Sequence, residues 1–135
     1  MYYKYNAVLR LPESHKVNKY VTTLHCVVSG VIKLSKTTRL PSSRVVYRGL
    51  KGVRMPARFV EEDARGVSGG VEYGMLSTST ERQVALQYAK EGSLPTVFEI
   101  SCGAIDRGAD LELLSQYPEE KEILYPPLSY LEVMK

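Results

Sequence analysis

The most informative segment of the chain lies near its C-terminus and reads Tyr117-Pro118-Glu119-Glu120-Lys121-Glu122-Ile123-Leu124-Tyr125-Pro126-Pro127. Two of its carboxylates, Glu120 and Glu122, are separated by one residue and lie between an aromatic–proline turn and an apolar run. Residues i and i+2 of a strand point to the same face, so an extended segment predicts both side chains together, roughly 7 Å apart. Like charges on one face repel. The pair is therefore either a charged turn or a carboxylate pair of the kind that acts on glycosidic bonds.

Length and composition predict one compact domain. The chain has 135 residues, of which 44% are hydrophobic, and this is enough for a core and too much for disorder. Its 18 basic and 15 acidic residues leave a net charge of +3, which is too weak to predict a nucleic-acid partner. No apolar run approaches the roughly 20 residues that a membrane span requires. Around the carboxylates there is no His, Cys or EF-hand spacing, so no metal site is predicted.

The N-terminus and the cysteines bear on the compartment. The chain begins Met1-Tyr2-Tyr3-Lys4-Tyr5, without the apolar region of a signal peptide. We therefore expect a cytoplasmic protein, or one secreted without a visible signal. Cys26 and Cys102 form no CxxC motif, and two reduced, buried thiols are favoured over a disulfide bridge.

A helix is predicted over residues 16–34, where apolar side chains recur at spacings of three and four. The many valines count toward a strand instead, but Ser14 as a cap and Pro41 beyond the end favour a helix. We expect this helix to pack under a sheet. The apolar stripe consists of Val17, Tyr20, Val21, Leu24, Val27, Val28, Val31 and Ile32.

Strands are predicted over residues 45–50, 74–79, 95–101, 123–124 and 130–133, and loops with one short helix near 57–64 are predicted over 51–74. A second helix follows residue 79, because Thr80 and Gln83 fit a capping box and Gly92 fits a helix stop. One helix before the strands and one among them favour an α+β fold with a mostly antiparallel sheet. We expect a single domain over residues 1–135, helical over about 1–40 and mainly sheet over 45–135.

Arg48 and Gly49 stand out on the first predicted strand. Arg48 shares a face with apolar residues, and a guanidinium there needs a partner. The partner is either a carboxylate of the protein or a phosphate of a ligand, which suits the guanidinium fork. Gly49 either marks a bend or bulge or lets the backbone approach and hydrogen-bond a flat amide.

The Ser77-Thr78-Ser79 stretch precedes the second helix. A hydroxyl of Ser79 or Thr80 is placed to cap that helix, whereas Ser77 lies too early for that role and is free to orient a neighbour. A nucleophilic serine is not predicted, because there is no GxSxG elbow and neither His15 nor His25 has an evident acid partner. Glu122 leads into a run that should be buried, so its carboxylate needs a partner or a chemical task.

Arg48, then Ser77-Thr78-Ser79, then Glu120-x-Glu122, in that order, resemble the Arg–Ser–Glu class of mono-ADP-ribosyltransferases. This class includes the vertebrate arginine-specific ecto-enzymes and the cholera-toxin-like and C2-like bacterial toxins. Residues 118–127 are similar to the ecto-enzyme signature Pro-Glu-Glu-x-Glu-Val-Leu-Ile-Pro-Pro, and the resemblance covers about residues 20–134. It implies two small, mostly antiparallel sheets packed at a steep angle, with NAD in the cleft between them. The chain departs from the ecto-enzymes in its short N-terminal helical region and its few cysteines.

The resemblance also implies a role for each motif residue. Arg48 is expected to contact the ribose and phosphates of NAD, and Gly49 to hydrogen-bond the nicotinamide carboxamide through its backbone. Glu122 would be the catalytic carboxylate, bonded to a ribose hydroxyl and stabilising the positive charge that develops on the sugar as nicotinamide leaves. Ser77 would hold Glu122 in place, while Thr78 and Ser79 support the pocket.

The remaining implied roles concern the acceptor and the rim of the cleft. Glu120 would orient an incoming arginine side chain and take its proton late in the reaction, and Tyr117 would lie on the turn that presents this acceptor. Tyr88 and Lys90 are expected near the loop over residues 90–95, beside the phosphate and nicotinamide. The implied function is transfer of ADP-ribose from NAD to arginine side chains of proteins. The alternatives are an NAD glycohydrolase and an inactive NAD-binding module.

Overall fold

The computed structural model describes residues 2–13, 16, 18–39, 41–90 and 94–134. The predictions that fell on Ser14, His15, Val17 and Gly92 lie outside these residues. The helices are α1 (Tyr2–Leu9), α2 (Val21–Ser35), α3 (Ala57–Val60) and α4 (Arg82–Lys90), and Pro118–Glu120 form one 3₁₀ turn. The strands are β1 (Val45–Leu50), β2 (Gly69–Glu72), β3 (Leu76–Ser79), β4 (Thr96–Ser101), β5 (Ala109–Asp110), β6 (Glu122–Tyr125) and β7 (Ser129–Glu132).

The described strands form two antiparallel sheets. One has five strands in the order β4-β1-β3-β6-β5, and the other pairs β2 with β7. The predicted α+β class and all five predicted strands are confirmed, with bounds shifted by at most two residues. Strands β2 and β5 were not predicted, because β2 opens with two glycines and β5 has only two residues.

Helix α2 confirms the predicted N-terminal helix but begins at Val21 rather than residue 16. Just before it, the Asn18 side chain accepts a hydrogen bond from the Tyr20 N–H at 2.8 Å and closes a local turn. The buried side of α2 is narrower than the predicted stripe: Leu24 and Val31 are buried, while Val21 and Ile32 are exposed. The periodicity of apolar residues thus predicted a wider buried face than the one that packs against the rest of the protein.

Helix α1 was not predicted as a separate element, and the polar side chain of Asn6 helps to join it to the sheet. The buried side chain of Asn6 accepts a hydrogen bond from the Met75 N–H at 2.8 Å and donates one to the Met75 carbonyl at 3.4 Å. The Tyr5 and Tyr20 rings also meet edge to face, with centroids 5.0 Å apart. These contacts place α1 beside the start of β3.

The core lies on both faces of the five-stranded sheet, and β6 contributes to both. Leu124 packs with Leu24, Val31 and Met75 under α2, whereas Ile123 packs on the opposite face in a second cluster. A strand that is buried on both faces reads as a continuous apolar run, which explains the Ile-Leu-Tyr sequence that follows Glu122.

The cysteines are free thiols, as predicted, but their burial differs. Cys102 is buried, while Cys26 is exposed on α2, so the prediction that both are buried was wrong for Cys26. The buried stripe of α2 passes through Leu24 and Val31, and Cys26 lies off that stripe. No helix in the described part of the chain is long and apolar enough to cross a membrane.

Candidate active site

Nine of the ten residues that the sequence analysis assigned to the site line one cleft of about 550 Å³. They are Arg48, Gly49, Ser77, Thr78, Ser79, Tyr88, Tyr117, Glu120 and Glu122. The volume falls within the range of roughly 300–1,000 Å³ that is typical of small-molecule sites. The cleft is lined by β1, β3, the start of β6, α4, the Pro118–Glu120 turn and Tyr3 of α1.

The floor of the cleft contains a short hydrogen bond between a serine and a carboxylate. Ser79 is paired with Glu122 and Ser77 with Leu124 across β3 and β6, so Ser77 and Glu122 are diagonal neighbours on one face. The Ser77 hydroxyl donates to Glu122 Oε1 at 2.5 Å. This bond holds a half-buried carboxylate in one orientation, facing the cleft.

Arg48 reaches the floor from β1 and has a protein carboxylate as a partner. Its Nη1 donates to the Ser77 carbonyl at 3.1 Å, and its Nη2 lies 3.4 Å from Glu72 Oε2. The Arg48 side chain is only 15% exposed and that of Glu72 only 19%, so this ion pair is screened far less than a surface pair. Of the two partners that the sequence left open for Arg48, the carboxylate is thus present in the structure.

Glu72 was missed by the sequence and links three parts of the chain. It accepts a bidentate pair of hydrogen bonds from Arg10 at 2.9 and 3.0 Å, and a further one from the Gly74 N–H at 2.8 Å. Burial raises the pKa of the Glu72 carboxyl, but the hydrogen bonds from Arg10 and Gly74 and the charges of both arginines outweigh it, so the net pKa is lowered. Its neighbours in sequence form a Gly-rich strand next to a loop, and nothing in that pattern pointed to Arg48.

The two glutamates of the C-terminal motif do not share a strand face, so the extended pairing predicted from their spacing was wrong. Glu120 ends the 3₁₀ turn, Glu122 begins β6, and Lys121 between them adopts a left-handed conformation with φ 45°. Such a residue interrupts the alternation of a strand. Both carboxylates still line the cleft, and each has its own hydroxyl donor: Ser77 for Glu122, and Tyr88 for Glu120 at 2.8 Å.

Ser79 ties the 3₁₀ turn to the start of α4. Its hydroxyl donates to the Glu120 carbonyl at 2.6 Å and accepts a hydrogen bond from the Glu81 N–H at 2.9 Å. The helix begins at Arg82, so Glu81 and not Thr80 precedes it, and the capping box predicted from Thr80 and Gln83 was wrong. Instead, the Thr80 N–H donates to the Lys121 carbonyl at 3.3 Å, which adds a second link to the turn.

Gly49 and Thr78 shape the walls of the cleft. Gly49 lies in an unbroken ladder between β1 and β4, so the bulge considered for it is not present. A Cβ atom at Gly49 would lie 2.0 Å from the Ala85 carbonyl oxygen, so only glycine permits this approach between β1 and α4. Thr78 is buried, and its hydroxyl donates to the Ile123 carbonyl at 2.7 Å, which braces β3 against β6.

The rim of the cleft is aromatic and more exposed. Tyr117 is 58% exposed and Tyr88 41% exposed. The Lys51 Nζ lies 5.6 Å from the centre of the Tyr88 ring, within reach of a cation–π interaction. Lys90 is exposed at the end of α4 and is not among the lining residues, and part of the predicted loop over residues 90–95 lies outside the described residues. Lining residues that the sequence did not indicate include Tyr3, Tyr47, Lys51, Val84, Ala85, Ser115 and Gln116.

The chain is similar to known arginine-modifying enzymes. It is 29% identical to NAD(P)(+)–arginine ADP-ribosyltransferase 2 of Gallus gallus over an alignment of 139 positions, which covers 98% of this chain and 39% of that protein. It is 28% identical to the GPI-linked NAD(P)(+)–arginine ADP-ribosyltransferase 1 of Mus musculus over 113 positions, which covers 83% of this chain and 30% of that protein. The chain therefore spans well under half the length of these relatives.

Solved structures share its fold. ADP-ribosyltransferase HopU1 of Pseudomonas syringae pv. Tomato superposes with a TM-score of 0.72 at 23% identity, over 99% of this chain and 58% of that one. ADP-ribosyltransferase Vis, solved with an inhibitor, gives a TM-score of 0.69 at 20% identity, over 99% of this chain and 60% of that one. These likenesses confirm the ADP-ribosyltransferase-like fold that the three motifs implied.

The family assignment comes from a family model. The model described as NAD:arginine ADP-ribosyltransferase matches residues 1–135. That range includes α1 and every strand that contributes to the cleft. The chain therefore belongs to the NAD:arginine ADP-ribosyltransferase family.

Proposed function

We propose that this chain transfers the ADP-ribosyl group of NAD to arginine side chains of proteins and releases nicotinamide. The observation that carries the proposal is the cleft floor, where Ser77 holds Glu122 at 2.5 Å beside the half-buried Arg48. A carboxylate fixed in a cleft is suited to a sugar carbon on which positive charge develops. Family membership supports the same reaction class.

The donor set of the cleft fits NAD. Arg48 bonds to Ser77 and Glu72 with one N–H each, and a guanidinium has five N–H donors, so others remain for a phosphate. Gly49 also lines the cleft, and its backbone would hydrogen-bond the flat carboxamide of nicotinamide, as the family resemblance implies. The volume of about 550 Å³ accommodates a ligand of this class.

Glu122 and Ser77 would serve the donor sugar. NAD, when bound, supplies an ADP-ribosyl group whose bond to nicotinamide breaks with positive charge building on the ribose carbon. Glu122 Oε1 is already committed to Ser77, and its second oxygen is oriented by that bond toward the cleft. In this position Glu122 would accept a hydrogen bond from a ribose hydroxyl. Its negative charge would offset the positive charge that develops on the sugar, and the side chain would not have to move.

Glu120 would serve the acceptor. It lies at the end of the 3₁₀ turn, lines the cleft and is half-buried. A protonated guanidinium is a poor nucleophile, and a carboxylate at this point would orient it and take its proton as the new bond forms. Near the rim, Leu113 is 99% exposed and Leu114 75% exposed, and these apolar side chains support a protein rather than a free amino acid as the acceptor.

NAD hydrolysis is the second candidate, and the open rim favours it. Tyr117 and Glu120 both line the cleft and Tyr117 is 58% exposed, so water would have a path to the ribose of a bound NAD. An inactive NAD-binding module is the third, and the intact set of Arg48, Ser77 and Glu122 in one cleft counts against it.

The test uses the purified chain with NAD labelled in its adenylate half, with and without agmatine as a guanidino acceptor. We expect nicotinamide release together with a labelled agmatine adduct, and label on a protein that contains exposed arginines. Nicotinamide release without any adduct would establish the hydrolase instead. NAD binding by calorimetry without nicotinamide release would establish the inactive module.

A further inference from the structure

Tyr88 makes a contact that its expected place beside the cofactor does not explain. Its hydroxyl donates to Glu120 Oε1 at 2.8 Å, across 32 positions of sequence, from α4 to the 3₁₀ turn. We infer that Tyr88 is a positioning residue that orients the Glu120 carboxylate for the incoming guanidinium. The inference rests on the proposed function, because it assigns Tyr88 to the acceptor side of that reaction.

The Tyr88 ring is supported from two directions. Helix α4 is packed on the sheet through Ala85 and Ala89, which are buried, and the Ala85 carbonyl approaches Gly49 closely. Tyr88 projects from this anchored helix toward the rim, and the Lys51 ammonium lies over its ring at 5.6 Å. The hydroxyl is therefore presented to Glu120 from a supported position, although 41% of the residue is exposed.

The hydroxyl acts as the donor at neutral pH. The hydrogen bond to Glu120, together with partial burial and the charge of Glu120, raises the pKa of Tyr88 to about 12. The phenol is therefore protonated and donates the hydrogen bond, and a carboxylate oxygen of Glu120 accepts it. Loss of this hydroxyl would remove an orienting contact from Glu120.

One consequence concerns how the acceptor binds. Oε1 of Glu120 accepts the hydrogen bond from Tyr88, and the other carboxylate oxygen receives none from the described residues. An arginine guanidinium would then donate to the single free oxygen of Glu120, from a defined direction. A bidentate pair of hydrogen bonds to both oxygens would require Tyr88 to be displaced. Glu122, by contrast, is oriented by Ser77, so the loss of Tyr88 should affect transfer more than the chemistry of the donor sugar.

The test is Tyr88→Phe, which keeps the ring and its contact with Lys51 and removes only the hydroxyl. Nicotinamide release into water and adduct formation with agmatine are measured separately, with the KM for agmatine. We expect the ratio of transfer to hydrolysis to fall about fivefold, with a higher KM for agmatine, because one hydrogen bond to a charged group is lost. Tyr130→Phe is the matched control, because Tyr130 is exposed on β7 and does not line the cleft.

An unchanged ratio, equal losses of both activities, or a gain in transfer would each overturn the assignment of Tyr88. Glu120→Gln provides a second test: Tyr88→Phe should add little in that background, and a further drop of the same size would contradict the inference. Wild-type protein that forms no adduct would refute the proposed transfer, and the role of Tyr88 with it. Transfer by wild type with an unchanged ratio in Tyr88→Phe refutes only the role of Tyr88.

Discussion

The floor and the rim of the cleft are built differently. On the floor, Ser77, Glu122 and Arg48 are half-buried and are held by strand register and by the half-buried partner Glu72. On the rim, Tyr117 is largely exposed and the side chain of Glu120 is held by the hydroxyl of Tyr88. A network of half-buried groups linked to one another keeps one geometry, whereas exposed side chains on the rim adapt. The floor is therefore suited to one constant donor and the rim to varied acceptors.

The largest effect is expected from a substitution on the floor of the cleft. Glu122→Gln keeps the shape of the side chain but removes its charge, so we expect nicotinamide release and transfer both to fall about 10³-fold, as when a preorganised electrostatic partner is lost. Initial rates at saturating NAD measure this, with thermal unfolding as the check on folding. Retention of either activity near the wild-type rate would contradict the role proposed for Glu122.

The second prediction separates the rim from the floor. Glu120→Gln removes the carboxylate that would receive the acceptor proton, and we expect transfer to agmatine to fall about 10²-fold, the usual contribution of a general base. Hydrolysis should fall far less, because Glu122 and Ser77 are unchanged. The two rates are compared in the same preparation, and losses of similar size would mean that the two glutamates share one task.

A smaller effect is expected when the hydrogen bond between Ser77 and Glu122 is removed. Ser77→Ala removes the donor to Glu122 at 2.5 Å, and we expect kcat to fall about tenfold, which corresponds to about 1.4 kcal/mol. Ser77→Thr keeps a hydroxyl and should restore most of the rate. Ser101→Ala, at an exposed position of β4, is the control for a serine change on the same sheet.

The smallest effect is expected from removing the charge of Glu72, the ion-pair partner of Arg48. Glu72→Gln leaves Arg10 and Arg48 without their shared anion, and we expect a loss of about 1 kcal/mol in unfolding free energy at neutral pH. The exposed Glu61 gives the control Glu61→Gln, which should change little. Denaturant unfolding measures both variants.

The stability difference between wild type and Glu72→Gln should depend on pH. The pKa of Glu72 is lowered from its ordinary value of 4.5, so its contribution to stability is present above that value and is lost as the pH falls through the folded-state pKa. The stability difference between wild type and Glu72→Gln should therefore close in acid. A difference that stayed constant down to pH values well below 4.5 would show that the charge of Glu72 is not what stabilises the fold.

Local pattern was enough for most of the helices and strands, and the resemblance of the three motifs was enough for nine of the residues that line the cleft. The apolar run after Glu122 predicted β6, the spacing of Leu24 and Val31 predicted α2, and both appear in the structure. Resemblance of the three motifs predicted the fold, which the structural neighbours confirm. The position of α1 was not predictable, because it depends on Asn6 bonding to Met75 across 69 positions of sequence.

Motif order, read as a family resemblance, identified nine of the residues that line the cleft, because the order and spacing of motifs are properties of the chain itself. The tertiary structure was needed for how those residues are paired. The left-handed Lys121 separates two glutamates that spacing had put on one face. Glu72 and Tyr88 acquire their roles from contacts across 24 and 32 positions, with Arg48 and Glu120. Such partners are chosen by sheet register and helix docking, which no local pattern encodes.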